Sequence, residues 1–537
     1  MKNTGRKLIL TAVAAVILSS CKSAADPVGS AVSLSGMDRI NSGLEENITT
    51  DLTTTYEVFL YSYYDSDNDD IGDLRGLKEK LDYIQDTGFT AIWLMPVMTS
   101  PTYHKYDVAD YYSIDPQYGT IDDFKDLIND CSERGIRIIL DLVLNHTSVQ
   151  HPWFAAAADY LKTHDDYDDC AASCPYFNAY HFSREFQNGY AALGDSGWYY
   201  EARFWEGMPD LNLDDEEVRE EILSIMKYWL DLGVGGFRLD AVTSYYTGDP
   251  EKNTAFLKWL CESGKAMRSD CYFVGEAWTN RSEIAALYDS GIDSLFDFPF
   301  ADANGIIHDT LMGAYGAEDY VQAQVSEQEA YILHNPDYLN APFYTNHDMA
   351  RSAGYYAGDD GTKTKLAGAM NLLMSGNVFV YYGEEAGMKG SGKDENKRAP
   401  MYWSDTAQTG ICTGPPDMDT IAMKFAPLDE QMKDPYSVYS YYRNAIKLRN
   451  AFPSLAFGTV SLRDDLSDEE IAVYTKSDGI HPEVCIVMNL GGQSETVDVS
   501  TLKQQTLAGV LLAGEEEISL QEGKLTVPPY GIAVLKE

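Results

Sequence analysis

The sequence predicts an α/β protein: a (β/α)8 TIM barrel with an inserted domain after strand 3 and a C-terminal antiparallel β-sandwich domain. From about residue 56, short apolar runs alternate with amphipathic helical stretches, as expected for parallel strands joined by helices. More than ninety residues separate the third run from the fourth, and this long stretch shows little helical period. After residue 455 the runs become short and alternate polar with apolar residues, which is typical of antiparallel sheets.

Eight apolar runs are interpreted as the strands of the barrel. They are residues 58–63, 91–97, 136–142, 236–239, 272–275, 294–298, 343–345 and 378–382. Active sites of such barrels lie at the carboxyl ends of the strands. Polar residues that follow these runs are therefore the candidates for a functional site.

The 537 residues are long enough for several segments. In order, these are a lipoprotein signal peptide (1–21), a flexible tether (22–50), the first part of the barrel (51–146), the inserted domain (147–207), the second part of the barrel (208–455) and the β-sandwich (456–537). The tether is assigned because its residues are mostly small and polar and show no period.

The N-terminus has the pattern of an export signal. Lys2, Arg6 and Lys7 precede an apolar stretch, 8–18, that is too short to span a bilayer. The stretch ends in LSSC, which resembles a bacterial lipobox and predicts a lipid on Cys21. We therefore expect a protein anchored to the cell membrane on its exported face, extracellular or periplasmic. A plain secretory signal with an incidental cysteine is the alternative.

Charge and cysteine content exclude some classes of partner. The formal net charge of −44 argues against nucleic acid and against anionic membrane surfaces, so membrane contact is expected only through the lipid. The seven cysteines after residue 21 lack metal-binding spacing. Cys170 and Cys174 are close enough for a disulfide, and buried free thiols are the other interpretation.

Three carboxylates, Asp240, Glu276 and Asp348, each follow a β-like run, in the stretches GFRLD, YFVGEAW and FYTNHD. Acids delivered from three strand ends indicate one acidic pocket, and a pair of carboxylates is what glycoside hydrolysis requires. Arg238 precedes Asp240 by two residues, so both side chains share one face of a strand. The apolar run before Glu276 favours a raised pKa, as a general acid needs.

Five ordered motifs carry a family resemblance: DLVLNH at 141–146, MPDLN at 208–212, GFRLDA at 236–241, GEAW at 275–278 and TNHD at 345–348. They resemble the signature segments of the α-amylase family, glycoside hydrolase family 13. The resemblance implies a retaining enzyme on a barrel whose inserted domain forms one wall of the cleft. It implies Asp240 as nucleophile, Glu276 as acid/base and Asp348 as the acid that binds hydroxyls and distorts the sugar. The substrate-binding residues that it implies are His104, Tyr106, His146, Arg238 and His347.

The stretch DSDNDDIGD at 65–73 offers oxygen atoms at alternate positions, which can wrap a hard cation such as Ca²⁺. The expected ligands are Asp65, Asp67, Asp69, Asp73 and the carbonyl of Ile71. An acidic turn without a metal is the alternative. The resemblance implies a calcium loop here, in which glycine is usual at the position of Asp70. The resemblance also implies glycine at the position of Lys105, in the loop that carries His104 and Tyr106. A second calcium site through Asn145 and Asp210 is left open.

The expected activity is that of a retaining endo-acting α-amylase on α-1,4-glucosidic bonds of starch, maltodextrins and related α-glucans, with cyclodextrins as further substrates. The motif MPDLN is intermediate between the versions of oligo-1,6-glucosidases and neopullulanases, and Ala241 is the choice of α-1,4-acting members. The alternatives are an α-glucanotransferase and a cyclomaltodextrinase- or neopullulanase-like enzyme. A non-catalytic starch-binding lipoprotein is a remote alternative. The oligomeric state stays open.

Overall fold

The computed structural model describes residues 35–45, 53–356 and 358–537. The predicted signal peptide 1–21 with its Cys21 and most of the predicted tether 22–50 lie outside the described residues. Within the part of the chain that is described, no helix combines the length and the apolar character needed to cross a membrane.

The strands of the described residues are numbered in chain order. They are β1 Thr54–Val58, β2 Ala91–Leu94, β3 Met98–Thr99, β4 Asp110–Ile114, β5 Arg137–Leu142, β6 Phe182–Ser183, β7 Tyr190–Ala192, β8 Tyr199–Glu201, β9 Gly236–Leu239, β10 Tyr272–Gly275, β11 Ser294–Leu295, β12 Val378–Tyr381, β13 Thr459–Leu462, β14 Ile471–Ser477, β15 Val484–Asn489, β16 Glu495–Asp498, β17 Thr506–Leu511, β18 Ser519–Gln521, β19 Lys524–Val527 and β20 Ile532–Lys536.

The α-helices are numbered in the same way. They are α1 Gly36–Asn41, α2 Leu74–Glu79, α3 Leu81–Thr87, α4 Ile121–Glu133, α5 Pro152–Leu161, α6 Tyr167–Ser173, α7 Glu216–Asp231, α8 Pro250–Met267, α9 Arg281–Leu287, α10 Ile306–Leu311, α11 Ala317–His334, α12 Thr362–Leu372, α13 Asp394–Lys397, α14 Leu428–Gln431, α15 Val438–Ala451 and α16 Ser454–Phe457.

The central sheet is parallel, with the strand order β11-β10-β9-β5-β2-β1-β12. Its strands are buried on both faces, which explains why they read as continuous apolar runs in the sequence. Two isolated parallel bridges, Phe296 to Ala341 and Phe343 to Phe379, connect the edge strands through the segment 341–343. The sheet therefore closes into a barrel, and the predicted fold class is confirmed.

Three predicted strands differ from the structure. The first strand ends at Val58, and Leu60–Ser62 forms a 3-10 turn, so the prediction of a strand over 58–63 is wrong. These apolar residues are buried by packing, and burial alone does not distinguish a strand from a tight turn. The run 294–298 shortens to β11 because a 3-10 turn containing Pro299 begins at Phe298. The run 343–345 contributes only the bridge at Phe343.

The segment between β5 and β9 contains α5, α6 and a small antiparallel sheet with the order β6-β8-β7. Its interior is aromatic, with Phe154 packed against Tyr180 and Tyr200. The chain returns to the barrel where the Leu211 amide donates to the Asn145 carbonyl. All cysteines of the described residues are buried free thiols, including Cys170 within α6 and Cys174 at its C-cap.

The C-terminal part is antiparallel, with a five-stranded sheet β13-β14-β15-β20-β17 and a three-stranded sheet β16-β19-β18. A buried cation joins it to the barrel: Lys476 of β14 donates to the carbonyls of Leu373 and Leu455. Arg449 of α15, within the barrel part, donates to the neighbouring carbonyls of Leu372 and Met374 at the end of α12. These carbonyls have no helical partner, so the side chains satisfy them and fix the contact.

Residues 36–41 do not belong to a tether. They form α1, whose N-cap Ser35 accepts a hydrogen bond from the amide of Asp38. Met37 is buried, and the Asn41 amide group donates to Val510 O and Asn444 Oδ1, both at 2.8 Å. The prediction of a flexible run over 22–50 is therefore wrong for this part, because a short amphipathic turn binds the C-terminal sheet.

Candidate active site

The predicted acids lie together at the carboxyl end of the barrel. Asp240 directly follows β9, Glu276 directly follows β10, and Asp348 follows the segment 341–343. All three line a cleft of about 350 Å³ at this end of the barrel. The other lining residues are His104, Tyr106, His146, Phe204, Met208, Ala241, Thr243, Ser244, Trp278, Asp394 and Arg398.

Arg238 is the centre of the acidic cluster. It is fully buried on β9 opposite Asp141 of β5, and its Nη1 donates to Asp141 Oδ1 at 3.0 Å and to Asp240 Oδ1 at 2.8 Å. Its Nη2 lies 3.0 Å from Glu276 Oε2. Asp240 and Glu276, which follow neighbouring strands, thus share one guanidinium, whose rigid planar geometry holds them side by side. Asp141 orients Arg238 from the neighbouring strand.

Glu276 has the ionisation of a general acid. Burial raises the pKa of Glu276 to about 7, with the charges of Asp240 and Asp348 adding to the shift and Arg238 opposing it. The amide of Ala241 donates to Glu276 Oε2 at 3.0 Å. Ala241 has a left-handed backbone with φ of 47°, so the strained turn after β9 aims this donor at the acid.

Asp348 is paired with two cations. Arg398 Nη2 lies 2.8 Å from Asp348 Oδ1, and His347 Nε2 lies 3.1 Å from Oδ2. Burial alone raises the pKa of Asp348, but His347 and Arg398 outweigh it and hold that pKa well below its usual range. Asp348 is therefore ionised in the resting cleft, where its oxygens can accept hydrogen bonds from a ligand.

The predicted aromatic and histidine contacts surround these acids. Tyr106 stacks on His347 with ring centroids 5.4 Å apart, and its hydroxyl donates to Asp141 Oδ2 at 3.0 Å. Burial lowers the pKa of His104 to about 4 and also lowers that of His146, so both are neutral. Nε2 of His146 is buried and has no hydrogen-bond partner among the described residues, which leaves it free for a ligand.

Lys105 occupies the loop position where the resemblance places a glycine. Its φ is 65°, in the left-handed region, so the backbone has the conformation that glycine favours. The side chain turns away from the cleft into a buried ion pair with Asp115 at 2.8 Å. The substitution therefore keeps the shape of the loop that carries His104 and Tyr106.

Four residues of the site escaped sequence reasoning. Arg398 belongs to RAPMYW, and its role appears only through its contact with Asp348. Glu57 lies at the end of β1 and contacts His347 at 2.6 Å. Trp278 and Phe204 are about half exposed at the cleft. The GEAW motif contained a signal for Trp278, whereas Phe204 lies in the inserted domain and carried none.

The acidic loop 65–73 brings three of its predicted ligands together. One carboxylate oxygen each of Asp65, Asp67 and Asp73 lies within 4.8 Å of the others. The predicted ligand Asp69 is not part of this group, and its Oδ1 accepts a hydrogen bond from the amide of Ile71. Asp70 has a φ of 74°, so it adopts the left-handed turn of the glycine that it replaces.

The donor chemistry of this loop fits a hard divalent cation. The side-chain oxygens that converge are carboxylates, and none of the four predicted aspartates forms an ion pair with Lys or Arg in the described chain. Burial raises the pKa of Asp69, with the charges of Asp67, Asp65 and Asp73 adding to the shift. At the second candidate calcium site, which the sequence left open, Asn145 Nδ2 donates to Asp210 Oδ1 at 3.3 Å, and burial raises the pKa of Asp210 to about 7.

Known proteins share this architecture. The family model "Alpha amylase, catalytic domain" matches residues 57–458. "Alpha-amylase 3" of Dictyoglomus thermophilum is 37% identical over 487 residues, which cover 90% of this chain and 92% of that protein. "Oligo-1,6-glucosidase" of Heyndrickxia coagulans is 29% identical and covers 76% of this chain and 86% of its own length.

Solved structures agree. "Eubacterium rectale Amy13B" superposes with a TM-score of 0.91 at 45% identity, covering 94% of this chain and 99% of that chain. The α-amylase from H. orenii superposes with a TM-score of 0.77 at 31% identity, covering 90% and 99%. The matched region contains the barrel with all of its acids, so the chain belongs to the α-amylase family and is a glycoside hydrolase.

Proposed function

We propose that the chain is a retaining, endo-acting α-amylase that hydrolyses α-1,4-glucosidic bonds of starch and maltodextrins and accepts cyclodextrins. The observation that carries the proposal is the pair Asp240 and Glu276, held on the two terminal nitrogens of Arg238 in an open cleft. The name of the relative from Dictyoglomus thermophilum supports this activity.

The chemistry follows the two-carboxylate scheme for retention. Asp240 attacks the anomeric carbon as the bond to the leaving oxygen breaks, and Glu276 gives its proton to that oxygen. A glycosyl ester on Asp240 results. Glu276, now ionised, takes a proton from water, which attacks the same carbon and releases Asp240. The product keeps the α configuration because each step inverts it.

The remaining side chains bind the sugar. Asp348 accepts hydrogen bonds from hydroxyls of the distorted ring, and the free Nε2 of His146 and the imidazole of His104 contact the same sugar. Tyr106 presents its ring as a platform for the apolar face of glucose. Arg238 and His347 supply positive charge next to the acids. The interactions of the Asp240 and Asp348 carboxylates with the sugar strengthen as positive charge develops on it.

The loop 65–73 would hold Ca²⁺ through Asp65, Asp67 and Asp73, with Asp69 and the carbonyl of Ile71 as the further ligands implied by the resemblance. The ion would neutralise the clustered acids and tie the loop after β1 to the barrel. Its role is structural. Gly72 fits this tight loop, since a Cβ there would lie 2.0 Å from the Leu60 carbonyl.

Lipidation of Cys21 would place the enzyme on the exported face of the cell membrane, where external starch is available. The LSSC sequence and the short apolar stretch before it support this location.

The test is a product time course on starch, β-cyclodextrin, pullulan, maltotriose and isomaltose, with anomeric configuration recorded. We expect rapid internal cleavage of starch and products of α configuration. Products of β configuration, or hydrolysis of isomaltose alone, would contradict the proposal. The Asp240→Asn variant should lose turnover by at least about 10⁴-fold, because an amide cannot attack the anomeric carbon.

Glucan transfer is the second candidate. Trp278 stacks on Phe298 and is about half exposed at the cleft, and Phe204 of the inserted domain lies at the cleft next to His146. Exposed aromatic rings in the cleft that contains Glu276 suit a second sugar, which could replace water as acceptor. Products longer than the maltotriose substrate in the same time course would favour transfer over hydrolysis. Dominant cleavage of β-cyclodextrin would favour the cyclomaltodextrinase-like alternative.

A further inference from the structure

Glu57 is a buried carboxylate at the carboxyl end of β1, beside Trp93 and Tyr381 in strand register. Its Oε1 lies 2.6 Å from Nδ1 of His347. We propose that Glu57 is a positioning residue for hydrolysis: it fixes the His347 ring as an imidazolium whose Nε2–H is presented to Asp348 and to the bound sugar. This inference rests on the proposed function.

Both nitrogens of His347 face carboxylates. Nδ1 meets Glu57, and Nε2 lies 3.1 Å from Asp348 Oδ2. A neutral imidazole has one N–H and serves one of these acceptors, whereas an imidazolium donates to both. The Tyr106 hydroxyl lies 2.8 Å from Nε2, but its own hydrogen points to Asp141, so its oxygen accepts from His347.

The charges around His347 come from several elements. Glu57 and Asp348 contact the ring, Asp141 lies beyond Tyr106, and the cations Arg238 and Arg398 lie on the other sides of these acids. Burial lowers the pKa of His347, but the two contacting carboxylates raise it to about 9. Burial raises the pKa of Glu57, and the hydrogen bond and charge of His347 oppose that rise. Without the charge of Glu57, Asp348 is the one acid left in contact with the ring.

Two substitutions separate charge from orientation. Glu57→Gln keeps an oxygen that accepts from Nδ1–H, so the ring stays oriented while the negative charge is lost. Glu57→Ala removes both. Glu385→Gln is the matched control, because Glu385 is an equally buried carboxylate that accepts hydrogen bonds from Tyr56 and Tyr83 and does not line the cleft.

The experiment measures maltotriose binding by calorimetry at pH 6 and pH 8 in the Asp240→Asn background, which prevents turnover. Between pH 6 and pH 8, we expect the affinity of the Glu57→Gln variant for maltotriose to fall about tenfold further than that of the background. The reason is that a change of one pKa unit corresponds to a tenfold change in the protonation equilibrium. Glu276 and the Asp240→Asn substitution are the same in the background and in each variant, so the difference between variants reports on His347. Glu385→Gln should follow the background.

Activity provides the second readout. With wild-type Asp240, Glu57→Ala should lower kcat/KM at pH 6 by about a hundredfold, as expected for a misplaced group, and Glu57→Gln should recover most of it. An affinity of Glu57→Gln with the same pH dependence as the background would overturn the inference. Failure of the wild-type enzyme to cleave maltotriose or starch would overturn the proposed function itself.

Discussion

At the cleft, burial requires each charged side chain to have an ion-pair or hydrogen-bond partner. Arg238 is fully buried and forms ion pairs with Asp141, Asp240 and Glu276, so its charge is compensated as a buried charge requires. The two-residue spacing of Arg238 and Asp240 made this pair predictable. The contact of Glu57 with His347 was not, because 290 residues separate them and no local pattern joins them.

The raised pKa of Glu276 predicts the alkaline side of the pH profile. The acid must be protonated to release the leaving group, so kcat/KM on maltotriose should fall by about tenfold per pH unit above about pH 7. Initial rates between pH 5 and pH 9 check this. Glu276→Gln should retain far more activity on 4-nitrophenyl α-maltoside, whose leaving group needs no proton, than on maltotriose. A maltotriose profile that is flat to pH 9 would assign the acid elsewhere.

The same shift has a consequence for stability. The pKa of Glu276 is raised in the folded state, so its contribution to stability is full below the unfolded pKa and is lost as the pH rises through about 7. Compared with wild type, Glu276→Gln should lose less stability between pH 5 and pH 8. Urea midpoints at both pH values measure this, and equal losses would contradict a buried proton on Glu276.

At the scale of elements, the conformation of short segments depends on the residues against which they pack. The sequence located β2, β5, β9, β10 and β12 because their buried faces give continuous apolar runs. It missed the 3-10 turn at Leu60–Ser62 and the reduced seventh strand, since buried turns and buried strands have similar composition. It also missed α1, whose six residues are ordered by the C-terminal sheet rather than by helix propensity.

Because α1 packs on the C-terminal sheet through Asn41, removal of the hydrogen bonds of Asn41 should lower the stability of the fold. Asn41 donates to Asn444 and Val510 and accepts from the amide of Val510 at 3.0 Å. Asn41→Ala should lower the free energy of unfolding by about 1–3 kcal/mol, because it leaves buried partners unpaired. The exposed neighbour Ser42→Ala serves as the control. Equal urea midpoints for the two variants would show that α1 does not stabilise the fold.

The acidic loop predicts calcium-dependent stability. Bound Ca²⁺ at about a hundredfold over its Kd adds ~2.7 kcal/mol to the folded state, so a chelator should lower the Tm of the wild type. Asp67→Ala removes one of the three converging carboxylates and should reduce the chelator effect. Asp464→Ala, an exposed aspartate elsewhere, should retain it. Equal chelator sensitivity in all three proteins would exclude this loop as the metal site.

At the scale of the whole molecule, the expected cellular location is linked to the net charge. The net charge of −44 repels anionic surfaces, so the N-terminal lipid is the expected means of attachment. Cys21→Ala should shift the protein from the membrane fraction to soluble or unprocessed forms, since one acyl chain binds marginally and two or three bind stably. Ser23→Ala should stay with the membrane. Wild-type protein found mainly in the medium would indicate a secreted soluble enzyme instead.

The sequence by itself determined the family, the barrel and the acids Asp240, Glu276 and Asp348, because strand ends and motif order are local features of the chain. Tertiary structure alone decided the closure of the barrel through bridges at Ala341 and Phe343 and the docking of α1. It also decided which cations meet which acids. These properties depend on contacts between residues far apart in sequence. The burial that those contacts create raises the pKa of Glu276, and the carboxylates that they bring to His347 raise the pKa of that histidine.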